Sequence, residues 1–386
     1  MSSRLRDLFG RIRKRIAGQE VTVHPSYGYR DPADAATWIV PMRVHVHDNR
    51  DTPFMEKVLQ EWAIEHFEKD LKRALDDAEK AQLRECLEPF IADDKNREGV
   101  LFSFADDVSA QVFALKQRTT ASGVIEEAVR IPDTLVQQCH AAQKDGDRWL
   151  EINARTADGN GEGTGAIRFL EPEGLCIVSD IDDTIKLTRV PAGKKAVLRN
   201  TFLKPFEAVP GMRERLADFS ADAKDDASFH YVSGSPWQMY RVLGRFLFEE
   251  AKFPVGTVHM KSLRLNLTER GSIGSLLAFA VGGDLATLDQ KVRQVTDLML
   301  HLPKRRFILV GDSGERDPEV YRAMRELFPD QVESIHIRDV LGERLEGMEV
   351  IREPKAFVAL DTSDLVAEMR LLVEKARGAG PASPKL

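Results

Sequence analysis

The sequence predicts an α/β protein, a doubly wound parallel sheet preceded by a smaller β-rich, sandwich-like domain with a helical insertion. Three observations predict it. After about residue 170, short apolar strands alternate with helical stretches. From residue 21 to 169 the texture is mostly strand-like. Helix-spaced apolar residues interrupt that texture between residues 53 and 92. The 386 residues give two or three domains, at about 100–200 residues per domain.

Taken in order, residues 1–20 contain a short basic amphipathic helix. Leu5, Leu8, Phe9, Ile12 and Ile16 fall at helical spacing among six cations and the single acid Asp7. Residues 21–169 form the β-rich accessory domain. Strands are expected at Trp38–Asp48, Val100–Phe104, Ala110–Leu115, Gly123–Ile131 and Trp149–Ala154. In the insertion, Phe54, Val58, Trp62, Leu71, Leu75, Leu83 and Leu87 recur at helical intervals. Asp158–Gly165 (DGNGEGTG) is glycine-rich, but a strand, Ala166–Leu170, follows it where a dinucleotide fingerprint needs a helix. It reads as a turn or linker near the domain boundary.

Residues 170–345 form the α/β domain. Its strands are expected at Leu175–Ser179, Phe229–Ser233, Val255–His259, Phe307–Gly311 and Ser334–Arg338. Helices are expected at Trp237–Glu250, Gln290–His301 and Pro318–Phe328. In such sheets ligands bind outside the carboxyl ends of the strands. Residues 346–386 supply a last amphipathic helix at 362–377 and a loose tail.

Charge and cysteine usage exclude several classes. Lys and Arg number 55 against 62 acids, a net charge of −7, so no global basic field draws nucleic acid. Any anion must be held by a local patch. Three scattered cysteines build no disulfide framework, and without a CxxC pair a structural zinc site is not expected. A cytoplasmic setting follows. No apolar run reaches the 18 or so residues of a membrane span; the longest candidate, Ile273–Gly282, reads as core or interfacial. The N-terminus lacks an apolar signal stretch.

The strongest chemical signal is Leu175–Thr188, LCIVSDIDDTIKLT, in which an apolar strand runs into Asp180, Asp182, Asp183 and Thr184. Either this is a solvated acidic turn or the carboxylates share a divalent cation, because buried unpaired charge is costly. Hard oxygen ligands indicate Mg²⁺. A second strand, in FILVGDSGERD, delivers Asp312 with Asp317 five residues on; Glu315 and Glu319 lie outside the strand-end position. A third ends in SGSP, where the Ser233 and Ser235 hydroxyls and the amides around Gly234 suit phosphate oxygens. Lys291 opens the helix before the Asp312 strand, and Lys261 is the reserve for a phosphate-binding lysine.

The four elements, DxDxT (Asp180, Asp182, Thr184), strand–Ser (Ser233), Lys (Lys291) and GD with a later Asp (Asp312, Asp317), resemble the haloacid-dehalogenase superfamily in type and order. The longer strings SDIDDTIK, YVSGSPWQMY and FILVGDSGERDPEVY are similar to a narrower group, the actin-patch-associated Mg²⁺-dependent phosphatidate phosphatases, over roughly residues 170–340. The resemblance implies a haloacid-dehalogenase-like sheet, with Asp180 as nucleophile forming an aspartyl-phosphate and Asp182 as proton shuttle. It further implies Asp180, Asp182, Asp312 and Asp317 as Mg²⁺ ligands, Ser233, Gly234 and Lys291 on the phosphate, and Thr184 as loop support. Asp183 has no clear catalytic role beyond orienting the turn.

Lys186, Arg189, Lys194, Lys195 and Arg199 lie in an acid-free stretch, Ile185–Phe206, that reads as either a basic substrate flap or an ordinary surface helix. Phosphatidate or a related phosphomonoester is the expected substrate, with peripheral membrane contact through the helix at 3–17. A phosphatase of soluble phosphomonoesters and a non-catalytic phosphate- or lipid-binding adaptor are the alternatives. His45 and His47 share a strand face, Trp237 flanks the SGSP turn and Cys176 sits inside a strand; each reads more simply as structural.

Overall fold

The structure is a computed structural model that describes residues 19–48, 53–91, 93–107, 109–143, 148–221, 226–262, 285–340 and 350–352. The basic segment 3–17, the stretch Ile273–Gly282 and the C-terminal helix expected at 362–377 lie outside the described residues. These divide into two units, one of residues 19–48 and 93–172, the other of 53–91 and 173–352.

The first unit is built on strands β1 (Gln19–Val23), β2 (Ser26–Asp31), β3 (Asp34–Asp48), β4 (Asp93–Asp94), β5 (Val100–Phe104), β6 (Phe113–Ala114), β7 (Val124–Pro132), β8 (Trp149–Thr156) and β9 (Gly161–Phe169). Where a sandwich was expected, the strands form one hydrogen-bonded system ordered β1-β3-β2-β9-β8-β5-β6, with β4 and β7 on β3. Because β1 also pairs with β9, the four strands β1, β3, β2 and β9 close on themselves. Alternation along β3 turns Trp38, Val40, Met42, Val44 and Val46 into a core with Phe102, Ile125, Leu150 and Ile167.

Two local expectations are corrected here. Gly161–Gly165 belongs to β9 and not to a linker. A Cβ at Gly163 would lie 1.6 Å from the Val21 carbonyl oxygen, and one at Gly165 2.6 Å from Val23 Cβ, so these glycines allow β9 to approach β1. The helix Asp133–Ala142 was not anticipated; its buried face is only Leu135, Val136 and Cys139, too short a period to stand out.

The second unit carries β10 (Leu175–Asp180), β11 (Ala227–Pro236), β12 (Thr257–Lys261), β13 (Arg306–Asp312), β14 (Val332–Arg338) and β15 (Val350–Arg352). Their order is β12-β11-β10-β13-β14-β15. The first five are parallel and β15 is antiparallel. Strand order reverses between β10 and β13, the position where open parallel sheets bind ligands beyond their carboxyl ends. All six residues of β10 are buried, as a central parallel strand requires.

The helical insertion exists as two helices, Pro53–Leu71 and Asp77–Ile91. It groups with the second unit and not with the strands that flank it in sequence. Phe67 packs edge-on against Phe202 with ring centroids 5.8 Å apart, and the Cys86 thiol donates to the Thr201 carbonyl at 3.6 Å. Glu85 and Glu88 pair with Arg245 and Arg241. The α/β unit is therefore assembled from two separate stretches of chain. No helix among the described residues is long and apolar enough to cross a membrane.

Candidate active site

Strand β10 delivers Asp180, 1% exposed, to the carboxyl edge of the sheet beside Asp312 of β13. Asp317 opens the helix Asp317–Leu327 and turns back onto the same point: its Oδ2 accepts the Asp312 N–H at 3.2 Å. Residue 311 has no room for a side chain, because a Cβ there would lie 2.4 Å from Asp317 Oδ2. Asp180, Asp312 and Asp317 each offer an oxygen within 4.8 Å of the others, and all three are buried.

Lys291 reaches this cluster, with Nζ 2.7 Å from Asp180 Oδ1, 3.6 Å from Glu315 Oε2 and in contact with Asp317 Oδ1. Burial alone would push its ammonium down, but Asp180, Asp317 and Glu315 outweigh that and hold it well above its ordinary range. In the same field burial pushes Asp180 up, Lys291 pulls it back, and Asp317, Glu315 and Asp312 add to the rise. Asp312 is raised by burial and by Asp317 and Glu315. Glu315 is pushed up to about 7, chiefly by burial, with Lys291 opposing and Asp317 reinforcing. Among the described residues, three carboxylates against one ammonium leave a formal deficit of two positive charges, and Asp180 Oδ2 is buried without a hydrogen-bond partner. A dication bound by these oxygens satisfies both conditions, so the residues fit Mg²⁺.

Beyond Asp180 the chain folds into a tight loop. Asp183 takes φ +55°, a conformation that Asp tolerates better than most residues. Its carboxylate accepts the N–H groups of Thr188 (2.9 Å), Arg189 (2.6 Å) and Val190 (2.5 Å). Arg338 donates to the Asp183 carbonyl. Thr184 Oγ1 lies 3.4 Å from Asp312 Oδ2 and ties this loop to β13.

Asp182 is bound by a different set of partners. Its Oδ1 accepts from Lys186 Nζ at 2.7 Å and Thr188 Oγ1 at 2.5 Å, and its Oδ2 from Ser233 Oγ at 3.2 Å. Burial would raise this carboxyl, but the Lys186 charge and the three donors outweigh it and hold the group below its ordinary range. Of the four aspartates expected as ligands, Asp180, Asp312 and Asp317 bring carboxylate oxygens together, and Asp182 is not among them.

Lys186 is corrected more sharply. It is not on an exposed flap: its side chain is 3% exposed, and its ammonium sits 4.9 Å from the Phe206 ring centroid. Backbone bridges from Asp182 to Lys186 and from Lys186 to Ala208 fold it back into the site. Arg189, Lys194, Lys195 and Arg199 stay exposed. Sequence reasoning also missed Thr188 and Arg338, whose residue types carry no signal of their own, and set Glu315 aside although it lies beside Lys291.

Ser233 is buried in β11, its hydroxyl accepting the Ser235 N–H at 3.0 Å while Gly234 is half-buried beyond it. Between the two lysines, the structure brings Lys291 to the acids; Lys261 ends β12 and is half-buried. Trp237 packs against Tyr240. His45 and His47 stack at 4.8 Å, paired with Asp94 and Glu20, and Cys176 is fully buried.

Fold and site together define a parallel α/β domain with an acidic, lysine-bearing centre at its carboxyl edge. Residues 175–339 match the model of a family described as phosphatidate phosphatase APP1, catalytic domain. Phosphatidate phosphatase APP1 of Saccharomyces cerevisiae is 31% identical over 175 residues, covering 44% of this chain and 27% of that protein. An uncharacterized protein of Schizosaccharomyces pombe is 29% identical over 179 residues, covering 46% of this chain and 27% of its own. The matched segment thus spans about a quarter of the length of either relative. Among solved structures, a calcium-binding mutant of β-glucuronidase 2 from Bacteroides uniformis aligns with a TM-score of 0.23 at 7% identity, over 81% of this chain and 30% of that one. That likeness is too slight to bear on the fold.

Proposed function

We propose that the chain is a Mg²⁺-dependent phosphatase that converts phosphatidate, or a closely related phosphomonoester lipid, to the free alcohol and phosphate. The sheet is read as the doubly wound haloacid-dehalogenase type. The observation that carries the reading is the convergence of Asp180, Asp312, Asp317 and Lys291 on one buried point at the switch in strand order.

Asp180, Asp312 and Asp317 would hold Mg²⁺, which supplies positive charge to the phosphate oxygens. Asp180 attacks phosphorus, forming an aspartyl-phosphate as the ester oxygen leaves. Asp182 gives that oxygen its proton, then takes one from the water that attacks the intermediate, breaking the bond between Asp180 and phosphorus and releasing phosphate. At rest Asp182 is held as the carboxylate, the form needed for the second half. An incoming phosphate dianion raises its proton affinity, so that Asp182 takes up a proton from solvent water as the substrate binds and carries it into the first half. Ser233, Gly234 and Lys291 hold and neutralise the phosphoryl oxygens.

The yeast relative's name supports phosphatidate as the substrate. The test is a comparison of kcat/KM for short-chain phosphatidate, p-nitrophenyl phosphate and a panel of sugar phosphates at saturating Mg²⁺. Preference for phosphatidate supports the reading; preference for a sugar phosphate moves it to soluble substrates.

A further inference from the structure

Between Arg189 and Lys204 the chain exposes five cations, Arg189, Lys194, Lys195, Arg199 and Lys204, with no acid among them. None forms an ion pair among the described residues; Glu79, in the field of Arg199, is itself bound by Arg73. The helical turns are two-faced: Val197, Leu198, Phe202 and Leu203 are buried while the cations point out. At the leading edge lies an apolar tip, Val190–Ala192, with Pro191 and Ala192 exposed. Gly193 follows at φ +86° with open space beside it.

This tip is the rim of the active site. A Cβ placed on Gly314 would lie 2.8 Å from Pro191 Cγ and 2.9 Å from Asp312 Oδ1, so the tip and the acid cluster border the same residue. The Asp183 carboxylate fixes the base of the tip through the N–H groups of Arg189 and Val190. The rim is thus anchored to the loop that directly follows the proposed nucleophile.

We propose that this rim docks the chain on an anionic lipid surface, with Arg189, Lys194 and Lys195 against headgroups and Val190–Ala192 in the interfacial layer. A small soluble anion meets one or two of these cations and leaves the apolar tip unexplained. A charged plane with an apolar interior meets both features. Docked this way, the acid cluster faces the bilayer that supplies the substrate, a consequence that rests on the phosphatidate reading; the docking itself does not.

The experiment uses full-length chain carrying Ala192→Cys labelled with an environment-sensitive fluorophore. Cys86, Cys139 and Cys176 are buried, so the label goes to the tip. Vesicles are phosphatidylcholine with or without phosphatidylserine, neither of which is the proposed substrate. Expected are a blue shift with phosphatidylserine vesicles alone and its loss as salt is raised. Arg189→Gln/Lys194→Gln/Lys195→Gln should co-sediment on the order of a hundredfold more weakly, at about 1 kcal/mol per cation. A thermal midpoint equal to wild type shows that this variant is folded; if it is not, Lys194→Gln/Lys195→Gln replaces it. The proposal is overturned if the label stays unchanged while the protein co-sediments, if the variant binds as tightly as wild type, or if neutral vesicles bind equally. Hydrolysis of monomeric short-chain phosphatidate by unlabelled wild type judges the phosphatase reading separately.

Discussion

Lys186 Nζ lies 2.7 Å from Asp182 Oδ1, and neither group is exposed enough for water to replace the other. Thr188 and Ser233 complete the fixation of that carboxylate. In the mechanism proposed above Asp182 is the proton shuttle, which works only if its oxygen is held within hydrogen-bond reach of the reacting atom; the pair with Lys186 would then fix that oxygen.

Lys186→Met should therefore lower kcat by about a hundredfold while KM changes little, because a misplaced shuttle slows chemistry more than binding. Breaking a buried pair also costs about 3–5 kcal/mol of stability, so the assay belongs well below the variant's melting midpoint. A kcat within threefold of wild type removes Lys186 from the positioning role.

Asp182→Asn separates the two halves of the reaction when the leaving group needs no proton. With p-nitrophenyl phosphate, the variant should release about one nitrophenolate per site in a burst and then slow by about 10²–10⁴-fold, as unassisted water attacks the intermediate. Slow, linear release from the first turnover would show that Asp182 is not needed to clear the intermediate.

The metal expectation follows from the charge deficit around Asp180. EDTA should abolish phosphate release and Mg²⁺ restore it, with Ca²⁺ a poor substitute because it accepts looser, higher coordination than a compact carboxylate trio offers. Full rates after exhaustive chelation would contradict the assignment of Asp180, Asp312 and Asp317.

Phe67 tests the membership of the inserted helices. Its ring is 1% exposed and meets Phe202 of the second unit. Phe67→Ala should cost about 3–5 kcal/mol, and a double-mutant cycle with Phe202→Ala should return a coupling of about 0.5–1.5 kcal/mol. Strictly additive losses would show that the two rings do not share one core.

What was legible in the sequence was local. Asp180 and Asp312 were readable because each ends an apolar strand, and the strands themselves, from Leu175 to Arg338, stand out as short apolar runs. Lys291 was singled out through the resemblance and not through its position: the helix expected to start at Gln290 begins at Leu285, which puts Lys291 in its second turn. What stayed hidden depended on distant contacts. Lys186 looked like one more cation in a basic run, and only the bridges to Asp182 and Ala208 bury it. Residues 53–91 showed their helical period but not their partner, which lies more than a hundred residues further on at Thr201 and Phe202. Gly163 and Gly165 looked like a loop because the close approach of Val21 and Val23 is a property of the folded sheet.

The central claim is that Asp180 carries the phosphoryl group, and borohydride trapping tests it directly. Hydride reduces an aspartyl-phosphate to homoserine, so wild-type chain quenched during turnover of short-chain phosphatidate with Mg²⁺ should yield homoserine at position 180 by peptide mass spectrometry. Asp180→Asn should yield none and should hydrolyse about 10²–10⁴-fold more slowly. Homoserine at another aspartate, or undiminished turnover by Asp180→Asn, would contradict the account.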